Sequence, residues 1–272
     1  MSLKSLICTL LILSILPVSC TAAPVLQSAQ SQPSTTLTVF AAASLTEAFS
    51  QLGTRFEADH PGAKAIFNFA GSQQLAQQII QGAPVDVFAS ADQRQMEAVV
   101  QAGQVVQQSV QAFTGNRLVV IFPNGNPAKL KTLRDLAKPG LKLILAAKEV
   151  PVGHYSQQFL DKTAQDPALG AGFKTAVLRN VVSYEENVRA VLSKVLLGEA
   201  DAGIVYSSDV SPDNASRLGE LEIPDTLNVL ATYYIAPVQS TTHAKLASAF
   251  VASALSPAGQ EILKKYGFIP TR

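Results

Sequence analysis

The chain has no tryptophan, three histidines and two cysteines in 272 residues. Cys8 and Cys20 both lie near the N-terminus, which leaves the body with no cysteine pair, no disulfide and no thiol chemistry. Charge of one sign is also missing. Twenty-one basic residues stand against 20 acidic ones, evenly spread and without a Lys/Arg run, so nothing points to nucleic acid. No internal repeat is seen. What the chain has in quantity is apolar residues, 47% of the total, enough for a sizeable core in one large or two small domains.

The first 23 residues read as a signal peptide. Lys4 supplies a positive start, and Leu6 to Leu16 form an apolar run too short to span a bilayer. Two exits follow. Ser19-Cys20 fits a lipobox with Cys20 as the lipidated residue, although Pro17 stands where lipoboxes usually carry Leu. Ordinary cleavage near Cys20-Thr21-Ala22 is the other. Residues 24–36, rich in Gln, Ser and Pro, read as a disordered tether.

Beyond the tether, strand and helix signals alternate. Short apolar runs at Leu37–Ala41, Ala65–Phe69, Val85–Ala89, Leu118–Phe122, Leu141–Ala146 and Ala202–Tyr206, and a further one within Leu227–Ile235, read as strands. Helical spacing marks Leu45 to Phe56, Leu75 to Ile80, Gln93 to Ala102 behind an Asp92 cap, Val188 to Leu196, Ala244 to Leu255 and Pro257 to Tyr266. The alternation predicts an α/β fold with largely parallel sheets, in which ligands bind where strands give way to helices.

Three such junctions are made of neutral, small or hydroxyl residues: Val39 to Glu47, Phe69 to Leu75, and Pro151 to Tyr155. A helix start offers unpaired N–H groups and a partial positive charge to an anion. No Lys or Arg lies in any of the three, which suits reversible capture of a small oxyanion. Each also has a purely structural reading. Ser44-Leu-Thr-Glu47 and Ser183-Tyr-Glu-Glu186 are capping boxes, Ser72 fits a loop before a helix, and Tyr206 and Val152 fit packing positions.

Several motifs in order now resemble the periplasmic molybdate-binding proteins of ABC transporters. They are Ala-Ala-Ala-Ser44-Leu-Thr, Gly71-Ser72 with Leu75 after it, Gly82-Ala-Pro-Val-Asp-Val-Phe88, Pro151-Val-Gly-His-Tyr155, Glu186-Asn-Val-Arg189, Gly203-Ile-Val-Tyr206-Ser-Ser-Asp209 and Lys265-Tyr-Gly-Phe268. The resemblance covers roughly Thr36 to Phe268. It implies a two-lobed type II periplasmic binding fold, each lobe a mixed, mostly parallel sheet flanked by helices with the ligand in the cleft. Lobe 1 would be residues 37–117 plus 236–272 and lobe 2 residues 118–235, with crossings near Leu118 and Ile235.

The resemblance also implies the contacts. Ser44 and Ser72 would give hydroxyl and backbone donors, Val152 and Val188 backbone N–H groups, and Tyr206 its hydroxyl. Val188 serves only if Asn187, and not Ser183, caps its helix. The implied function is capture of molybdate, with tungstate as a second ligand, and delivery to a membrane permease. No cofactor, no catalysis and a monomer are expected. Molybdenum would be held only through the oxygens of its oxyanion. The location would be periplasmic or cell-envelope, with a lipid anchor if Cys20 is acylated. The family usually carries Tyr-Pro where this chain has Tyr233-Tyr234, so an iron-binding protein using both phenols is one rival. A sulfate-type oxyanion binder on the same fold is another. A serine hydrolase using Ser44 or Ser72 with one of the three histidines, of which His154 lies in the right segment, is the last, and it lacks the Gly-x-Ser-x-Gly elbow.

Overall fold

The structure, a computed structural model, describes residues 35–270. The expected signal peptide, Cys20 and nearly all of the expected tether lie outside the described residues. The last two tether residues, Thr35 and Thr36, already belong to the first strand.

β1 (Thr35–Ala42) runs through a single 3-10 turn (Ala43–Leu45) into α1 (Thr46–Asp59). Then come β2 (Ala63–Ala70), α2 (Ser72–Ile80), β3 (Val87–Ser90), α3 (Gln93–Gln101) and β4 (Gln111–Asn116). The chain crosses at Arg117 into β5 (Leu118–Pro123), β6 (Leu143–Ala146), α4 (Pro151–Lys162) and α5 (Phe173–Arg179). β7 (Val181–Glu185), α6 (Val188–Leu196), β8 (Ala202–Tyr206) and β9 (Leu218–Glu222) complete the second lobe. The chain returns with β10 (Ala231–Pro237), α7 (Ala244–Leu255), α8 (Pro257–Lys265) and the two-residue β11 (Ile269–Pro270).

The strands form two sheets, in the orders β11-β4-β10-β3-β1-β2 and β7-β6-β8-β5-β9. β1 pairs parallel with β2 and β3, and β6 pairs parallel with β7 and β8. Following the antiparallel pairings outward, β10 and β11 oppose the rest of the first sheet and β5 opposes the rest of the second. Both sheets are therefore mixed and mostly co-directional. The reversals fall on the strands that enter a lobe from the other one, β5 and β10, and on the terminal β11.

The chain passes from the first sheet to the second at Arg117, beside Leu118. Ile235 sits inside β10, which pairs with β3 and β4 along its length. The return to lobe 1 is complete by Ala231, and the whole of β10 belongs to lobe 1. The apolar run that signalled this strand begins at Leu227, and its first residues are spent on the approach to the sheet.

Burial explains why β1, which opens on threonines, is apolar without a break from Val39 to Ala42. Leu37, Val39 and Ala41 face Phe49, Leu52 and Phe56 of α1, while Phe40 packs on the other face with Leu75, Ile79 and Phe88. A strand covered by helices on both faces has no polar side to show. In lobe 2, β8 is buried throughout, and Val188, Val191, Leu192 and Val195 give α6 an apolar stripe at helical spacing against the core.

Candidate functional site

Four helix entrances meet at one small cavity between the lobes. Its walls include Ala43, Ser44, Gly71 and Ser72 from lobe 1, and Pro151, Val152, Asn187, Val188 and Tyr206 from lobe 2. All five residues singled out in the sequence are brought together here. The cavity volume is about 10 Å³, near the lower bound for holding one water-sized body.

Local chemistry sets each entrance. Ser44 lies in the turn between β1 and α1, not at the helix cap; α1 starts at Thr46 and Leu45 occupies the cap position. The capping-box reading of Ser44 is thus replaced. Its Oγ lies 2.8 Å from Tyr233 Oη, and Glu47 faces the other lobe. Ser72 is the first residue of α2, where its Oγ accepts from the Ala91 N–H at 3.1 Å. Gly71 caps that helix, and its N–H donates to Gln74 Oε1 at 3.2 Å.

α4 begins with Pro151, which has no N–H and a backbone angle suited to a first helical turn. The N–H of His154 bonds the Val150 carbonyl, the first such bond of the helix, so Val152 precedes any internal acceptor. Gly153 lets the turn settle on the end of β6: a Cβ there would lie 2.0 Å from the Ala147 carbonyl oxygen. Val188 starts α6 behind Asn187, whose Oδ1 accepts from the Ala190 N–H at 3.0 Å. Ser183 and Glu185 belong to β7, so Asn187 is the cap and the competing box does not form. Asp92 caps α3 as expected, accepting from Gln95 at 3.0 Å.

Tyr206 ends β8, is 1% exposed, and its hydroxyl has no hydrogen-bond partner among the described residues. Burial, then the neighbouring Tyr233, pushes its pKa well above the ordinary tyrosine value, so it stays an O–H donor. A buried hydroxyl without a partner costs about 1–3 kcal/mol. Among the described residues, no Lys or Arg lines the cavity. Arg189, which follows Val188 in α6, is engaged elsewhere: it pairs with Glu47, approaches Asp209 Oδ1 at 3.3 Å, and donates to the Ala43 carbonyl at 3.3 Å. Asp209 is fully buried and accepts the Tyr206 N–H at 3.0 Å; burial pushes its carboxyl up to about 6, with Arg189 opposing.

The rival chemistries fare poorly on this geometry. The hydroxyl of Tyr233 meets Ser44 and that of Tyr234 donates to Gln93 at 3.3 Å, so the two phenols do not converge on one ion. Among the described residues there is no group of three or more His, Cys, Asp or Glu placed to hold a metal. The His154 ring bonds Gln158 at 2.8 Å, and among the described residues neither Ser44 nor Ser72 has a histidine as a hydrogen-bond partner.

The lobes also touch outside the cavity. Gln73 and Gln74 donate to the Glu186 carbonyl and carboxylate at 2.8 and 3.0 Å, and Gln95 donates to the Glu149 carbonyl at 3.3 Å. Gly71 permits this approach, since a Cβ there would lie 2.5 Å from the Glu186 carbonyl oxygen. Tyr233 and Asn116 stand behind Ser44, and sequence reasoning missed both in that place. Tyr233 carried only the pairing signal of an iron site, and Asn116 sits in a strand too polar to announce itself.

Residues 37–269 match the model of the family described as bacterial extracellular solute-binding protein. The molybdate-binding protein ModA of Mycobacterium tuberculosis is 39% identical over 237 residues, covering 87% of this chain and 85% of the relative. The periplasmic molybdate-binding protein of Azotobacter vinelandii superposes with a TM-score of 0.72 at 22% identity, over 87% of this chain and all of that one. The sulfate-binding protein SubI of M. tuberculosis gives 0.77 at 18% identity, over 87% of each chain. At those two identities the likeness speaks for the fold alone, and the fold is the two-lobed type II periplasmic binding architecture. On the match over nearly all of its folded body, the chain belongs to the family of bacterial extracellular solute-binding proteins.

Proposed function

We propose that this protein captures molybdate outside the cytoplasm and delivers it to the membrane permease of an ABC transporter. The observation that carries the reading is the Tyr206 hydroxyl, buried and without a partner among the described residues, on the wall of a cavity where helix entrances from both lobes meet. Such a wall calls for a compact acceptor of hydrogen bonds. Molybdate carries two negative charges and no proton at neutral pH, so it only accepts. The likeness to a molybdate-binding relative at 39% identity supports this ligand over sulfate, which has the same charge and a smaller radius.

In this reading Ser44 and Ser72 form the lobe-1 half of the cage. Val152 and Val188, through their N–H groups, and Tyr206 form the other half. Closure brings the halves together. Tungstate, of the same charge and shape, is the second ligand. The protein binds without covalent chemistry or a cofactor and acts as a monomer. It leaves the cytoplasm on the signal peptide of residues 1–23, and Cys20 anchors it if acylated.

Titration calorimetry of the purified protein with molybdate, tungstate and sulfate tests the assignment. Tight binding of molybdate and tungstate with weak binding of sulfate is the expected result. No heat with molybdate, or equal affinity for sulfate, would overturn it.

A further inference from the structure

A cage that selects a proton-free anion must keep its hydroxyls donating inward. A serine hydroxyl can donate or accept, so something has to set its direction. For Ser72 the device is a backbone group: the Ala91 N–H donates to Oγ, leaving the serine hydrogen to point elsewhere. Ser44 has no backbone donor of this kind among its bonds and meets Tyr233 instead.

We infer that Asn116 and Tyr233 form a relay that fixes Ser44 as a donor and thereby excludes protonated oxyanions. This rests on the oxyanion-cage reading above. Asn116 is fully buried at the end of β4. Its Oδ1 accepts the Arg117 N–H at 2.9 Å and the Ser207 hydroxyl at 3.0 Å. Its Nδ2 is therefore the side that faces Ser208 Oγ at 2.7 Å and Tyr233 Oη at 3.3 Å, as a donor to both.

Tyr233, fully buried too, then has its oxygen occupied by a donor, and its own hydrogen has Ser44 Oγ, 2.8 Å away, to go to. The opposite arrangement would leave the Tyr233 hydrogen without an acceptor inside the core, at a cost. Ser44 Oγ thus receives a hydrogen from behind and turns its own toward the cavity it lines. Polarity runs one way, from the Arg117 peptide at the lobe crossing to the ligand.

Tyr233 is a positioning residue here, so its removal has a signature beyond weaker binding. In Tyr233→Phe the ring contacts with Phe113, Tyr206 and Phe268 can persist. Ser44 is then free to accept from a protonated anion. Calorimetry at pH 8 with molybdate, sulfate and hydrogen phosphate, all dianions there, reads the effect. Molybdate and sulfate should each bind roughly tenfold more weakly, the scale of one hydrogen bond to a charged group, while hydrogen phosphate holds or improves. In a Ser44→Ala background, Tyr233→Phe should add less than about twofold, since the relay has lost its last member.

Should Tyr233→Phe not fold, Asn116→Asp serves, because it keeps the acceptor for Arg117 and reverses the far end of the relay. Its added charge weakens all three dianions alike, so only a shift of hydrogen phosphate relative to the other two reports polarity. Unchanged ratios among the three anions in whichever variant folds, or full additivity with Ser44→Ala, would overturn the relay. Failure of the wild-type protein to bind molybdate would instead remove the cage reading itself.

Discussion

Arg189, the second residue of α6 in lobe 2, forms an ion pair with Glu47 in the first turn of α1 in lobe 1. It immediately follows Val188, whose N–H faces the cage in our reading. One guanidinium thus holds the lobes together beside the ligand without lending it charge. Its positive charge is spent on Glu47 and Asp209, and the cavity keeps its neutral lining.

Because both partners of that pair are only partly covered, its contribution is modest. Glu47→Gln should weaken molybdate binding by about 1 kcal/mol. The loss should fall on the dissociation rate, since the contact exists only after closure. Stopped-flow measurements decide it: an unchanged dissociation rate with a slower association rate would contradict the closure role.

Tyr206 offers the sharpest separation of binding from folding. Its hydroxyl has no partner among the described residues, so Tyr206→Phe removes an unsatisfied buried group and should leave the ligand-free protein as stable as before or more so. Molybdate affinity should fall by about 1–3 kcal/mol. Denaturant unfolding without ligand and calorimetry with it give the two halves. A variant destabilised without ligand, yet binding normally, would show that the hydroxyl has a structural partner.

Much of the fold was legible because its central strands are buried on both faces and its helices carry clean apolar stripes. Ala202–Tyr206 and Ala244–Leu255 match the observed elements end to end. β4, β7 and β9 escaped for a physical reason. β7 and β9 lie at sheet edges with one face toward solvent, so their alternation is short and half polar. β4 is buried at Phe113, Thr114 and Asn116, but its polar groups are satisfied by partners far along the chain, such as the Ile269 carbonyl 3.0 Å from Thr114 Oγ1. No local pattern announces bonds of that kind. The site was legible through its helix entrances and the family resemblance. Its supporting layer was not, because Tyr233 and Asn116 act on Ser44 only through tertiary contact.

Asp209 makes stability depend on acidity in an unusual direction. Its carboxyl is raised to about 6 in the fold, against an ordinary value of 3.8. Between those values the folded protein binds the extra proton, so this group's contribution to stability falls as pH rises from 4 to 6 and stays at its lowest above 6. Two units correspond to about 3 kcal/mol. Urea unfolding over that range should therefore show a slope in the wild type that flattens in Asp209→Asn. The same slope in both would assign it to other carboxyls.

Gly153 tests whether the α4 entrance must sit where it does. A methyl group added there meets two backbone carbonyl oxygens, those of Ala147 at 2.0 Å and Ala146 at 2.5 Å, and neither can swing aside as a side chain would. Gly153→Ala must therefore push the first turn of α4 away from the end of β6, at about 1–3 kcal/mol in stability. Since Val152 precedes it in the same turn, the Val152 N–H moves too, and molybdate binding should weaken along with folding. Val152→Ala provides the contrast. It opens a small hole in the core but leaves the backbone in place, so it should lower stability while affinity stays within about twofold, less than the loss of one hydrogen bond to a charged group. Equal losses of affinity in the two variants would mean that the valine side chain, and not the position of its N–H, is what the ligand needs.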